Sequence, residues 1–264
     1  MLSLALPKGR MVAEPTRVAP APTSRLLCTA GPAGAGRQFD GHPVLSPVTL
    51  LHPHTDFAQR YWAALLKAGD TVIDATVGNG HDAAVLAGAL GCAGGGTLLC
   101  CDAQPVALER SRERLRGVLA DWELHESGDE WFALQRGSCA ELVVRWVEGC
   151  HASTLRAVPA RSAALVVFNL GYLPGGDKSF TTTAATTVAA LEAAEAAVAS
   201  GGCVSTTIYP GHAEGLAEEA AVLEHAAGLT QGEWSVYHTV WLNQRNKRNG
   251  RRAPSLVLLQ HLHD

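Results

Sequence analysis

Residues 71–82 read Thr-Val-Ile-Asp-Ala-Thr-Val-Gly-Asn-Gly-His-Asp. β-Branched residues crowd the first half of this stretch, so residues 71–76 are expected to form a short buried strand. Gly78 and Gly80 then let the backbone turn sharply and let a ligand come close to the main chain. An Ala/Leu-rich segment from Asp82 to about Leu90 continues as a helix whose first N–H groups and dipole suit an anion or a carboxylate. Strand, glycine turn and helix in that order make the opening unit of an α/β fold.

Reading outward from this unit extends the alternation. Upstream, Phe57, Tyr61, Leu65 and Leu66 recur at helical spacing and Gly69-Asp70 closes that helix. Downstream, residues 97–101 form a second strand ending at Asp102, and Pro105 opens a helix because its fixed φ suits the first helical position. That helix carries Arg110, Arg112, Arg114 and Arg116 beside Glu109 and Glu113, and reads as a solvated face. A third strand is expected near 131–136, ending at Gly137-Ser138, with a helix following through Val147. Residues 163–168 are a fourth strand, 183–199 a long helix, 203–209 a fifth strand and 214–227 a helix. Strands at 236–242 and 255–261 close the chain as a hairpin. The expected fold class is α/β, a mostly parallel seven-stranded sheet with helices on both faces and a C-terminal antiparallel hairpin.

Composition limits the function classes. The chain has 264 residues, 47% of them apolar and 17% charged, and a formal charge of -4. Bulk positive charge for coating nucleic acid is absent, so any RNA contact has to come from a local patch. The longest apolar candidate, 183–199, is interrupted by Glu192 and Glu195 and reads as no membrane span. None of the seven cysteines falls in a C-x-x-C pair, so the sequence points to a reducing compartment and to no metal. Residues 1–51 differ from the rest: Lys8, Arg10, Arg17, Arg25 and Arg37 face only Glu14 and Asp40 amid many Ala, Pro and Gly. This resembles an organelle transit peptide; a disordered leader without an address is the alternative and would leave the protein cytoplasmic. The expected domain occupies residues 52–264.

The carboxyl edge of such a sheet is where ligands bind. Asp102, ending the second strand, is placed to accept hydrogen bonds from ribose hydroxyls. Gly78-x-Gly80-x-x-Ala83 also fits the dinucleotide fingerprint, a weak pattern by itself, so a nicotinamide dinucleotide and S-adenosylmethionine compete as cofactor. Asp74 within the first strand can reach the ammonium of a methionine moiety, and no Tyr-x-x-x-Lys pair exists for hydride transfer. Both favour S-adenosylmethionine over an NAD(P)-binding oxidoreductase or a silent nucleotide-binding module. The fourth strand runs into Asn169-Leu-Gly-Tyr-Leu-Pro-Gly-Gly-Asp-Lys178. An Asn carbonyl followed three residues on by Tyr172 suits a planar or amine-bearing substrate.

Four separated blocks carry a resemblance: Asp74–Asp82, Phe168-Asn-Leu-Gly-Tyr-Leu-Pro-Gly-Gly-Asp-Lys178, Tyr209-Pro-Gly-His212 and Asn243-Gln-Arg-Asn246. With them, the chain from about residue 52 onward resembles a methyltransferase family long labelled "putative rRNA methylase". It looks like the bacterial-type enzymes that methylate 5-aminomethyl-2-thiouridine at the tRNA wobble position. The resemblance implies a Rossmann-like class I methyltransferase fold, S-adenosylmethionine as donor and a tRNA anticodon as substrate, with an rRNA or another RNA as the alternative. Asn169 and the backbone carbonyl of Leu170 or Gly171 are expected to accept the amine's N–H bonds and Tyr172 to pack on the uracil ring or the methyl group. This resembles the Asn-Pro-Pro-Tyr loops of amino-methylating DNA enzymes, although Leu-Gly replaces Pro-Pro here.

The residue expectations follow. Asp74, Gly78, Asn79, Gly80 and Asp82 are expected to bind the cofactor from the first loop. Asp102 and Gln104 bind it from the second, Ser138 from the end of the third strand, and Asn169 from the fourth. Asn169, Tyr172 and Asp177 form the catalytic set, with Asp177 the candidate proton acceptor for an amine that is protonated in water. Lys178, His212, Asn243, Arg245, Lys247 and Arg248 are assigned to the RNA, the last four from an acid-free loop. Beyond tRNA the expected partners are no membrane and no metal, with a homodimer as the oligomer considered. A plastid is preferred to a mitochondrion because the family is bacterial in character.

Overall fold

A computed structural model describes residues 38–39, 42–43, 53–171, 173, 175, 181–211, 213–243 and 253–262. The chain divides into two compact units, Met1–Thr49 and Leu50–Asp264. In the first, Gln38–Phe39 pairs antiparallel with His42–Pro43. The second holds the candidate site.

Its strands are β1 (Asp70–Asp74), β2 (Gly95–Asp102), β3 (Trp122–Ser127), β4 (Glu130–Gln135), β5 (Glu141–Glu148), β6 (Ala163–Asn169), β7 (Val198–Ile208), β8 (Trp234–Thr239) and β9 (Ser255–His261). Its helices are α1 (Pro53–Leu65), α2 (His81–Ala93), α3 (Pro105–Val118), α4 (His151–Arg156), α5 (Ala184–Ala197) and α6 (Ala213–Ala227). The strands form one nine-stranded sheet in the order β8-β9-β7-β6-β1-β2-β5-β4-β3. The run β7-β6-β1-β2-β5 is parallel, while β9 lies antiparallel on β7 and β8 antiparallel on β9. This is the α/β, Rossmann-like arrangement with the closing hairpin that the sequence implied.

The central strands read as apolar runs because both faces are covered. Val72 and Ile73 of β1, and Leu165, Val166 and Phe168 of β6, are fully buried. One core, on the side of α1–α3, is built on Trp62, Leu86, Leu90, Leu98 and Leu115. The other, under α4–α6, gathers Ile73, Leu155, Phe168, Leu191 and Val222. Helix ends follow local chemistry. Pro105 stands at the start of α3, and Thr183 and Thr186 form a reciprocal capping box on α5. Gly94 closes α2 at φ 114, donating to Leu90 and Gly91 carbonyls.

Two expectations fail together around residues 122–148. The sheet has nine strands rather than seven, and the strand expected near 131–136 is not parallel. It is β4, the second strand of a hairpin with β3 around Gly128-Asp129. The segment expected as a helix through Val147 is β5, which pairs parallel with β2 from Gly95↔Glu141 to Asp102↔Glu148. Its burial alternates strictly, with Leu142, Val144 and Trp146 inward. Val143 and Val147 lie between those positions, so the apolar residues satisfy a helical period as well as a strand period. The tie is broken by Trp131, whose ring meets that of Trp146 at 4.3 Å. The face of α3 expected to be solvated is exposed at Glu109, Glu113, Arg114 and Arg116, but two of its arginines also cover rings: Arg112 lies 5.1 Å above the Trp146 ring and Arg116 4.8 Å above that of Trp131. The two guanidinium groups also pair with Asp129 and Glu126.

Candidate active site

The strand order reverses at β1, which has β2 on one side and β6 on the other, and the crevice at this point opens at the carboxyl ends. As the chain leaves β1 it stays tied to both neighbours: Ala75 N donates to Val167 O on the β6 side and Val77 N to Cys101 O on the β2 side, each at 2.9 Å. The loop therefore sits over the crevice. Gly78 and Gly80 adopt φ 50 and φ 75, the left-handed region that favours glycine. A Cβ on Gly80 would also stand 2.7 Å from the Ser111 Cα of α3. That close approach sets α2 against α3.

Asp102, at the end of β2, receives one backbone hydrogen bond on each oxygen. Gly78 N donates to Oδ2 and Gln104 N to Oδ1, both at 2.9 Å. Each oxygen keeps a lone pair for a pair of hydroxyls. Gln104 is buried on the same wall, at the start of α3. Asn79 is held from α3: Arg110 Nη1 donates to its Oδ1 at 3.2 Å and Arg114 Nε to its carbonyl at 2.7 Å. Arg110 also donates to the Gly175 carbonyl at 3.3 Å, joining the glycine loop to the turn after β6.

Asp74 lies beneath this loop rather than on the cleft wall. It is 1% exposed, its Oδ1 accepts from Thr76 N at 3.2 Å, and its Oδ2 has no partner among the described residues. Burial first, and the neighbouring Asp82 second, push its carboxyl well above the usual carboxylate range. Among the described residues no cation is seen to offset the two neighbouring carboxyls.

The other half of the cleft is built around Asn169, the last residue of β6. Its backbone N donates to Thr76 Oγ1 at 2.7 Å and its Nδ2 to Asp82 Oδ2 at 2.9 Å. Asp82 Oδ1 accepts from Gln59 Nε2 of α1, also at 2.9 Å. Tyr209, just past β7, is pushed up to about 12, by burial and then by Asp82, against a hydrogen bond from Asn169. His54 meets the Tyr209 ring edge-on at 5.7 Å and the Trp241 ring at 6.3 Å. The turn after β6 is anchored by Gly171 N donating to Thr182 Oγ1 at 2.8 Å.

Gly149, Cys150 and His151, after β5, close the third side. His151 faces the Thr186 carbonyl at 3.1 Å and the Phe168 ring at 6.0 Å, and burial lowers its pKa. The structure moves Ser138 away from this wall. It sits in the turn between antiparallel β4 and β5, at the amino end of β5, where its Oγ accepts from Ala140 N at 3.1 Å. The expected adenine contact from Ser138 therefore falls at the opposite edge of the sheet, because the strand ending in the site is β5.

The fold brings Gly78, Asn79, Asp82, Asp102, Gln104 and Asn169 together on one cleft of about 1030 Å³. Gly80 shapes its loop from behind. Asn243 is exposed in the turn after Trp241 and does not line the cleft. Tyr172, Asp177, Lys178, His212, Arg245, Lys247 and Arg248 lie outside the described residues. Sequence reasoning missed Gln59, Thr76, Cys150, His151 and Tyr209 as wall residues. The alternation of 141–148, read as a strand, would have pointed to 149–151. Among the described residues no cluster of His, Cys, Asp or Glu could hold a metal ion, and no helix is long and apolar enough to cross a membrane. The described lining contains the carboxylates of Asp56, Asp82 and Asp102 and no lysine or arginine. Such a cleft favours cationic ligands.

Comparison with known proteins adds to this geometry. The sequence model of a family described as "Putative rRNA methylase" matches residues 98–253, more than half of the chain. A curated relative from Arabidopsis thaliana, named tRNA (mnm(5)s(2)U34)-methyltransferase, chloroplastic, is 34% identical over 186 residues. That match takes in 68% of this chain but 61% of the relative's own length. Among solved structures, one titled a putative rRNA-methylase from Clostridium thermocellum is 29% identical with a TM-score of 0.64, covering 79% of this chain and 97% of its own. A putative methyltransferase from Streptococcus mutans, in complex with SAH, is 26% identical with a TM-score of 0.59 and the same coverage.

Proposed function

From the premise that this chain belongs to the rRNA methylase family, we propose that it is an S-adenosylmethionine-dependent RNA methyltransferase acting on an aliphatic amine. The acceptor is the aminomethyl nitrogen of 5-aminomethyl-2-thiouridine at the wobble position of tRNA. One observation carries the reading: Asn169 ends the strand at the switch point and faces a cleft whose described lining holds three carboxylates and no lysine or arginine. A sulfonium donor and an ammonium acceptor both fit that charge. The curated relative's name supports the tRNA substrate.

The residues present fit the donor. Asp102 offers two lone pairs beside the Gly78 loop for ribose hydroxyls, and Gln104 and the Gly149–His151 wall surround the base side. Of the two neighbouring acids, Asp82 lines the cleft and Asp74 lies buried beside it. When bound, S-adenosylmethionine supplies a methyl group on positively charged sulfur. The chain's own contribution is orientation, which can supply up to roughly 7–11 kcal/mol of a displacement barrier. The Asn169 carbonyl accepts an amine N–H and turns the nitrogen lone pair towards the donor. Leu170 and Leu173, both buried on the wall, exclude water around it. Tyr172 and Asp177 are proposed to pack on the base and to take the ammonium proton, and Lys178, His212, Asn243, Arg245, Lys247 and Arg248 to contact the RNA.

Residues 1–51 are proposed as a transit peptide and 52–264 as the catalytic domain, in the chloroplast, in keeping with the relative's compartment. Calorimetry of the full chain with S-adenosylmethionine and with NAD tests the cofactor; tight binding of NAD alone would overturn it. Nucleoside mass spectrometry of organelle tRNA from cells lacking the protein tests the substrate. The account expects loss of the methylaminomethyl nucleosides, and an unchanged profile contradicts it.

A further inference from the structure

Asp82 has two hydrogen bonds to side-chain amides from elements distant in sequence: Gln59 of α1, at 2.9 Å, and Asn169 of β6, at 2.9 Å. It is 8% exposed and stands in the first turn of α2. A carboxylate offers only acceptors, so each amide that meets it must present its nitrogen. Asn169 has two N–H groups and one carbonyl. One N–H goes to Asp82, which fixes the nitrogen end of the amide on that side. What Asn169 brings to the cleft is its Oδ1.

The direction of this amide decides the chemistry of the proposed reaction. With Oδ1 towards the acceptor, the amide takes an N–H of the amine and leaves the lone pair free. Reversed, it would donate to that same lone pair and hold it away from the methyl group. In a small side chain that swings through half a turn, the two states are close in shape and differ only in what they face. We infer that Asp82, braced by Gln59, is a positioning residue that locks the Asn169 amide with its oxygen towards the acceptor amine. The lock assigns Asp82 to the acceptor half of the cleft rather than to the donor. It rests on the amine-methylation reading for its consequence, though not for its existence.

The test separates the two. Full-length protein selectively labelled with 15N-asparagine reports exchange of the Asn169 side-chain protons, with no substrate needed. Slow exchange is expected in the wild type, and exchange at least about ten times faster in Asp82→Ala. Should Asp82→Ala not fold, the isosteric Asp82→Asn, which can present either face to Asn169, is expected to show the same acceleration in smaller measure. In turnover of tRNA bearing 5-aminomethyl-2-thiouridine, Asp82→Ala should lower kcat about 30-fold. S-adenosylhomocysteine affinity should stay within about threefold of wild type. In an Asn169→Ala background the same change should cost less than about threefold, because its effect passes through Asn169. Unchanged amide exchange, additive losses, or a loss confined to S-adenosylhomocysteine affinity overturns the lock. Failure of the wild type to methylate that tRNA overturns the substrate reading instead, and the exchange measurement still decides the lock.

Discussion

The two halves of the cleft are built by different means. On the donor side, short loops from neighbouring strands present main-chain groups: Gly78 and Gln104 N–H hold Asp102, and the whole arrangement spans residues 78–104. On the acceptor side, side chains from distant parts of the chain meet one another. Gln59 reaches Asp82 across 23 residues, while Asn169 reaches Asp82 across 87 and Thr76 across 93. Backbone geometry is dictated by local sequence, so the donor half tolerates little beyond glycine and one acid. The acceptor half is a polar network in which each member depends on the others. We propose that binding belongs to the first half and turnover to the second.

The sharpest way to break that division is Asn169→Ala, expected to lower kcat about 100-fold while leaving S-adenosylhomocysteine affinity nearly unchanged. Single-turnover kinetics beside calorimetry reads both. Asp102→Ala is the mirror image. Removing a charged acceptor from this wall should weaken S-adenosylhomocysteine binding about 10- to 100-fold, with a smaller loss of kcat at saturating donor. Equal losses of affinity in the two variants would erase the boundary between the halves. Gly80→Ala tests whether backbone shape governs the donor side. Left-handed φ and the contact with Ser111 should cost about 2 kcal/mol and lower the melting temperature by about 5 °C.

A fourth prediction concerns the buried acid beneath both halves. Because the folded carboxyl of Asp74 titrates above its unfolded value, the native state holds the proton more tightly. Stability from that group is present at low pH and falls as pH rises through the folded pKa. Asp74→Asn keeps the neutral shape, so the melting temperature measured from acid to alkaline pH should lose that downward component. A slope equal to the wild type's would place the titration elsewhere. Ser138→Ala should change donor affinity least of all, since its hydroxyl only supports the turn before β5.

Legibility followed the same division. Gly78, Gly80, Asp102 and the start of α3 at Pro105 stand where the sequence placed them, since turns and caps are set by a few adjacent residues. β6 was read within one residue of its observed end because an apolar run of that length between turns admits few alternatives. β5 was misread because Leu142, Val143, Val144, Trp146 and Val147 fit two periods, and only the Trp131 ring across the hairpin decides between them. That single error carried Ser138 into the site and kept His151 out. Gln59 carries no local signature at all, and Tyr209 was read only as the start of the Tyr209–His212 block. The role of Gln59 arises from Asp82, which it meets only once the fold has assembled.

The central claim is that this chain methylates an amine on the wobble uridine of tRNA. Its most direct test incubates the purified protein and S-adenosylmethionine with tRNA carrying 5-aminomethyl-2-thiouridine, and separately with ribosomal RNA, followed by nucleoside mass spectrometry. The account predicts the mass gain of one methyl group on the aminomethyl nucleoside, and none in the ribosomal RNA. Methylated ribosomal RNA with an unchanged aminomethyl nucleoside would contradict it.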